Sequence, residues 1–173
     1  MLTAPQQLRL GLASLWAFLT ALSCQYLAFK TNGIDFSVFD FALHNTYAEN
    51  FMYSPMLDCN QYGMHPSHIL LPLAGLHGLF QSPWFLVLTH GVVLWCSILL
   101  LWQLSKRLLN NDVLATLLSY GFLTFTLTGR ILNYGFHVEL FYVPFGLWLA
   151  LGWIENRPKI FLTKSFPTVA SEK

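Results

Sequence analysis

Long apolar stretches alternate with short polar segments along this chain. Four of these stretches approach the roughly 20 residues that an α-helix needs to cross a bilayer core of about 30 Å. They cover residues 8–29, 83–104, 113–129 and 136–154. The third is shorter and richer in Thr and Ser, but Asp112 can cap its start and Gly129 can end it. The pattern predicts an all-α integral membrane protein with about four transmembrane helices.

The segment 30–82, between the first two spans, contains two further helical patterns. One predicts an interfacial helix over residues 36–48, because one face of that helix is apolar. This face consists of Phe36, Phe39, Leu43 and Tyr47. The other pattern, over 67–80, is apolar but only 14 residues long and contains Pro72. It is too short to span comfortably, which favours a re-entrant or interfacial helix and leaves a strongly tilted fifth span as the alternative.

Composition supports a membrane setting. The chain is 55% hydrophobic and only 10% charged, whereas soluble domains carry about 25% charged residues. The formal net charge is +1, and the nine Lys and Arg residues are scattered. Duplex binding requires a concentrated basic face, so no nucleic-acid partner is expected.

The positions of Lys and Arg predict the orientation. No Lys or Arg occurs in 31–105, and six of the nine form three groups. These groups are Arg9, then Lys106 with Arg107, then Arg157 with Lys159 and Lys164. They fall on one side of the predicted spans, which is the cytoplasm by the positive-inside rule. The sequence therefore predicts a multi-pass domain over 1–155 in the cell (inner) membrane, with an outer loop at 30–82, a polar tail at 156–173 and both termini cytoplasmic.

Acids and histidines are concentrated in the predicted outer loop. A carboxylate at the membrane edge can act as a general base or a metal ligand, and Asp35 and Asp40 are the candidates. The alternative for Asp35 is an ordinary helix N-cap. Asp40 and His44 are spaced i,i+4 and can pair on one helix. His65 and His68 could bind a metal, but no third ligand is spaced with them. The cofactor is therefore unknown, with a divalent cation as one candidate.

A second polar group precedes and begins the last span. It contains Arg130, Asn133, His137 and Glu139. A charged side chain near the bilayer is costly, so Glu139 is expected to have a partner. Arg130 is nearest in sequence, and a structural ion pair is one interpretation. In the other, Arg130 binds a substrate phosphate while His137 and Glu139 line a polar pocket.

Three strings in the chain resemble one family of bacterial and archaeal predicted membrane proteins, catalogued as domain of unknown function 2079. The strings are Gly33-Ile-Asp-Phe-Ser-Val-Phe-Asp40, Gly63-Met-His-Pro-Ser-His-Ile-Leu-Leu-Pro-Leu73 and Gly135-Phe-His-Val-Glu-Leu140. The resemblance covers about residues 5–155. Ser37 stands where Gly is usual in the family, and Val138 stands where Pro is usual. The chain also has 173 residues, whereas family members run to several hundred, so it is expected to correspond to an N-terminal portion that is inactive alone. A truncated remnant, one piece of a split protein and a fragment that needs a partner are the alternatives.

The resemblance implies similarity to the GT-C glycosyltransferases, which use sugars linked to polyprenyl phosphate. It implies that Asp35 or Asp40 is the catalytic base and that His65, His137 and Glu139 line the same cavity. The expected partners are membrane lipid, a lipid-linked sugar and a further membrane subunit. One alternative is a non-catalytic subunit or assembly factor that docks through its outer loop. Another is a metal- or haem-binding four-helix protein that uses its histidines.

Overall fold

The structure is a computed structural model that describes residues 4–28, 30, 33–47, 50–124 and 135–154. The protein is mostly helical. Its helices in these ranges are α1 (Ala4–Leu27), α2 (Gly33–Asn45), α3 (Gln61–Met64), α4 (Leu70–Phe80), α5 (Trp84–Leu109), α6 (Asp112–Thr124) and α7 (Tyr142–Ile154). A two-stranded antiparallel hairpin pairs β1 (Tyr53–Ser54) with β2 (Cys59–Asn60), and a 3₁₀ turn covers Val138–Phe141.

Helices α1 and α5 pack against each other in antiparallel directions. Trp95 of α5 donates its indole N–H to the hydroxyl oxygen of Ser14, at 3.2 Å. Further along α1, Leu22 lies against Gly91, where a Cβ atom would clash with it. Later residues of α1 therefore contact earlier residues of α5, as antiparallel packing requires. This packing also places the N-terminal end of α1 towards the C-terminal end of α5.

A hydrophobic core forms where α2 and α4 meet the first part of α5. Leu43, Leu70 and Leu86 come from these three helices and are all fully buried. Phe136 joins the same core and is also fully buried. Tyr47 strengthens the contact between α2 and α4, because its hydroxyl donates to a carbonyl oxygen of α4, that of Ala74. Helices α2 and α4 of the predicted outer loop therefore share one hydrophobic core with the N-terminal part of α5.

Helices α6 and α7 also pack against α5. A short turn separates α5 from α6, and Asn111 caps α6 by accepting hydrogen bonds from the backbone N–H groups of Val113 and Leu114, at 3.0 and 3.1 Å. The N-cap predicted at Asp112 was wrong by one residue. Asp112 instead forms an ion pair with Lys106, at 2.9 Å.

Among the described residues, one helix, α5, is long and apolar enough to cross a membrane, with 26 residues and an 18-residue window of mean hydropathy 2.1. The other apolar helical stretches are shorter. They are Gly11–Leu27, Leu70–Phe80, Asp112–Phe122 and Val138–Ile154. Helical structure thus lies within each of the four predicted spans, but the four-span topology is not confirmed. Residues 125–129 of the third predicted span lie outside the described residues, as does the tail 156–173.

Two predicted helices of the outer segment are present with shifted bounds. The interfacial helix predicted at 36–48 is α2, and it begins at Gly33. Asp35 consequently lies in the first turn of α2 and is not the N-cap. The second helix, α4, has 11 residues, a length of about 16 Å at 1.5 Å per residue. Pro72 lies in its first turn, where the absence of an N–H has no consequence.

Candidate functional site

The buried imidazole of His77 lies beside the carboxylate of Asp40 where α4 packs on α2. Nε2 of His77 is 3.6 Å from Oδ1 of Asp40. The His77 side chain is 1% exposed and that of Asp40 is 24% exposed. His44, one turn along α2 from Asp40, also lies near His77, with ring centroids 6.5 Å apart and ring planes perpendicular. The sequence predicted a pair of Asp40 with His44, whereas the ion-pair contact of Asp40 is with His77.

Burial affects the protonation of both members of this pair. It raises the pKa of Asp40, although the neighbouring imidazoles of His77 and His44 act in the opposite direction. Burial also lowers the pKa of His77, against the effect of the Asp40 carboxylate. The site therefore favours the uncharged forms of both groups more than water would. A carboxyl group with a raised pKa is better matched to proton transfer near neutral pH.

A cavity of about 250 Å³ opens onto this pair. Its walls come from the middle of α2, the end of α4 and the turn into α5. They consist of Asp40, Phe41, His44, His77, Gln81 and Pro83. Gln81 ends α4 in the left-handed conformation, with φ of 45°, and turns the chain towards Pro83. The cavity thus combines one carboxylate, two imidazoles and an apolar rim.

A second cluster forms around His137. Its Nε2 is 3.6 Å from Oδ2 of Asp35, and its Nδ1 is 3.3 Å from Oε2 of Glu139. The segment before it is anchored by Phe136, whose ring packs edge-on to that of Phe39 at 5.4 Å. Gly135 directly precedes Phe136 and has φ of +87°, a backbone conformation that favours glycine. The two outer segments therefore meet, and His137 lies between two acids.

Asp35 and Asp40 do not share one site. They are five residues apart on α2, which separates them by about 140° around a helix. Each instead contacts a different histidine, His137 for Asp35 and His77 for Asp40. The single cavity expected from the family resemblance is thus two clusters on different sides of α2.

The remaining predicted site residues are dispersed. His65 is exposed, and within the part of the chain that the structure describes its side chain takes no part in a hydrogen bond or ion pair. His68 instead bonds through Nδ1 to the hydroxyl of Tyr62, at 2.7 Å. Arg130 lies outside the described residues. No group of three or more His, Cys, Asp and Glu is arranged to hold a metal ion within the described ranges.

His77 is the residue that the sequence interpretation missed. His77 stands alone in an apolar helix, where a histidine is commonly a packing residue. The one usable signal was that buried polar side chains are normally hydrogen-bonded or paired, so a histidine on an apolar face requires a partner. The sequence offers no indication that the partner is Asp40, because that pairing depends on how α4 lies against α2.

The apolar helices agree with the comparison of the chain with known families. A model of predicted membrane proteins containing domain of unknown function 2079 (DUF2079) matches residues 25–171. The chain belongs to this family. The resemblance based on the three strings is therefore confirmed at the level of the family and of its membrane character. No curated protein and no solved structure matches the chain.

The match includes both clusters of this DUF2079 protein, since Asp35, Asp40, His77 and His137 all lie within the matched residues. It assigns no role to any of them. The catalytic and substrate-binding assignments therefore stay predictions, and the family match supports their membrane context.

Proposed function

We propose that this protein crosses the cell (inner) membrane several times, with spans at 8–29, 83–104, 113–129 and 136–154 and cytoplasmic termini. Large apolar side chains on α6 and α7 support this placement. Leu117 is 63% exposed and Trp153 is 80% exposed. Such surfaces are unfavourable in water and suited to lipid or to its interface. The antiparallel packing of α1 with α5 is what two consecutive spans require.

Within this membrane we propose a glycosyltransferase of the GT-C type, which transfers a sugar from polyprenyl phosphate to an acceptor hydroxyl. This proposal rests on the cavity at the N-terminal end of α5, where Asp40 lies with His44 and His77. Enzyme sites are typically concave, largely apolar and equipped with a few converging polar groups. A carboxyl group with a raised pKa in such a cavity is a candidate general base.

The proposed reaction assigns each group a step. The Asp40 carboxylate removes the proton from the acceptor hydroxyl as that oxygen forms a bond to the anomeric carbon. The bond between this carbon and the lipid phosphate breaks, and its electron pair leaves on the phosphate. His77, at 3.6 Å from Asp40, holds the carboxylate in position. Stabilisation of the leaving phosphate requires a cationic or hydrogen-bond-donating group, the role proposed for Arg130.

The second cluster has a separate place in this proposal. His137 contacts both Asp35 and Glu139. An imidazole N–H can donate a hydrogen bond to a polar group of a substrate. We therefore assign substrate binding to His137, Glu139 and His65, and keep Asp35 as the second candidate for the base.

Substitution of the two aspartates tests this function. Membranes containing Asp40→Asn are expected to transfer radiolabelled hexose from polyprenyl phosphate at least about a hundredfold more slowly than wild type, since Asn cannot accept the proton. Asp58→Asn is the matched control, because Asp58 is an exposed carboxylate of the same outer segment that bonds to Tyr53 at 2.6 Å. It is expected to keep wild-type activity.

Two other outcomes would change the proposal. Loss of transfer in Asp35→Asn with full activity in Asp40→Asn would reassign the base to Asp35. Full transfer by the double variant, Asp35→Asn with Asp40→Asn, would overturn the enzymatic function. Such a result, together with co-purification in a larger complex, would favour the non-catalytic subunit.

A further inference from the structure

A second cavity lies at the far end of α5 from Asp40. It has a volume of about 560 Å³, within the range of about 300–1,000 Å³ typical of ligand sites. Its walls consist of Trp102, Gln103, Lys106, Arg107 and Asn110. A helix of 26 residues is about 39 Å long. The two cavities are thus separated by roughly the length of α5, and the proposed glycosyl transfer does not involve this one.

The side chains of this cavity present positive charge beside an aromatic ring. The ammonium nitrogen of Lys106 lies 5.0 Å from the centroid of the Trp102 ring, a cation–π geometry. The indole N–H of Trp102 donates to the hydroxyl oxygen of Thr116 on α6, at 3.3 Å, and this bond holds the ring in place. Arg107 and Gln103 add further donors, and guanidinium groups match phosphate geometry.

The carboxylate of Asp112 lies beside Lys106 and competes for its charge. Its Oδ1 is 2.9 Å from the Lys106 ammonium, and the two side chains are 64% and 46% exposed. Exposed ion pairs are weak because water competes for both partners. Lys106 can therefore be shared with an incoming anion, and Asp112 is expected to weaken the binding of that anion.

The surface next to the cavity is apolar, which distinguishes a lipid from a free anion. Exposed apolar side chains continue from the end of α5 onto α6. They are Leu108, Leu109, Val113, Leu114 and Leu117. Trp and basic side chains together, beside apolar surface, are the groups that meet lipid headgroups at the membrane interface. A phosphate in the cavity would leave its acyl chains along this apolar surface.

We propose that the cavity at the end of α5 binds the headgroup phosphate of an anionic phospholipid. Lys106 and Arg107 neutralise the phosphate, and Trp102, Gln103 and Asn110 border the headgroup. This inference rests on the membrane placement of α5 and is independent of glycosyl transfer at the other end.

Native mass spectrometry of the full chain in detergent tests this site. Phosphatidylglycerol is expected to bind more tightly than phosphatidylcholine with the same acyl chains. The double variant Lys106→Gln with Arg107→Gln should lose this preference, with roughly a fivefold loss for each charge. Asp112→Asn should bind phosphatidylglycerol more tightly by roughly two- to fivefold, the scale of one exposed pair. The opposite effects of these variants distinguish a site from general loss of structure.

Arg9→Gln is the matched control. It removes one exposed charge from α1, towards the same end of α5, without altering the cavity, and it should change the affinity less than about twofold. Equal binding of the two lipids, or equal losses in the Arg9 and Lys106/Arg107 variants, would overturn the proposal. So would inorganic phosphate that occupies the site as well as the lipid does, since the site would then recognise a free anion. The melting temperature of each variant without lipid reports whether it is folded.

Discussion

At the scale of single residues, the pair of Asp40 and His77 determines how the outer segment responds to pH. Burial lowers the pKa of His77 below its ordinary 6.5. As pH falls through 6.5, the unfolded chain therefore gains a proton at His77 before the folded chain does, and stability falls. Burial raises the pKa of Asp40 above its ordinary 3.8. Just above pH 3.8 the Asp40 carboxylate is therefore protonated more in the folded chain than in the unfolded chain. Asp40 acts in the opposite direction to His77, because its contribution to stability rises as pH falls.

Two variants should therefore change the pH dependence of stability in opposite directions. Between pH 7 and pH 5, the melting temperature of His77→Gln is expected to fall less than that of wild type, because the destabilising protonation of His77 is absent. That of Asp40→Asn is expected to fall more, because the imidazole of His77 then lacks the carboxylate that raises its pKa. Thermal melting in detergent at several pH values measures both slopes.

His65→Gln controls for the removal of an imidazole from the same segment, since His65 is exposed. Its slope should match that of wild type. Equal slopes in the His77, Asp40 and wild-type proteins would show that this pair does not control the pH response.

At the scale of helices, a tight contact joins α1 and α5 at Gly91. A Cβ atom at this position would clash with Leu19 and Leu22 of α1. Small residues let membrane helices approach closely and gain van der Waals contact. The absence of a side chain at Gly91 is therefore what permits this pairing.

Gly91→Ala is expected to destabilise the protein by about 1–3 kcal/mol, the usual cost of overpacking a tight contact. Gly146→Ala in α7 is the control, because no atom lies within 4 Å of a Cβ there. That variant should be neutral or slightly stabilising, since Ala is the better helix former. Unfolding followed by denaturant in detergent provides the comparison, and equal stability of the two variants would contradict the packing.

At the scale of the whole molecule, the open question is how the chain is oriented in the membrane. The proposed orientation places the hairpin that contains Cys59 outside and the end of α5 in the cytoplasm. A single-cysteine protein with Cys24→Ser and Cys96→Ser should therefore react with a membrane-impermeant maleimide on intact cells. A protein without native cysteines that carries Gln103→Cys should react only after the membrane is permeabilised.

Gln103 is exposed in the structure, so this site reports the side of the membrane and not burial. Reaction of both proteins in intact cells would contradict the proposed orientation. Reaction of the Gln103→Cys protein alone would reverse it.

The apolar stretches of this sequence were sufficient to predict a helical membrane protein and helices near the observed ones, and three short strings were sufficient to predict the family. Segment length, hydropathy and the spacing of Phe36, Phe39 and Leu43 are local properties, and burial of all three in α2 follows from them. Helix ends were less predictable. The cap at Asn111, rather than Asp112, depends on which side chain reaches the free N–H groups of the first turn.

The tertiary structure alone decided which acids meet which histidines. Spacing on one helix suggested Asp40 with His44, but packing of α4 on α2 brings His77 to Asp40, and the segment at Gly135 brings His137 to Asp35. Contacts between elements far apart in the chain depend on the close packing of whole helix faces, which no local pattern encodes. The sequence therefore contained the chemical groups of the candidate site, and folding selected their partners.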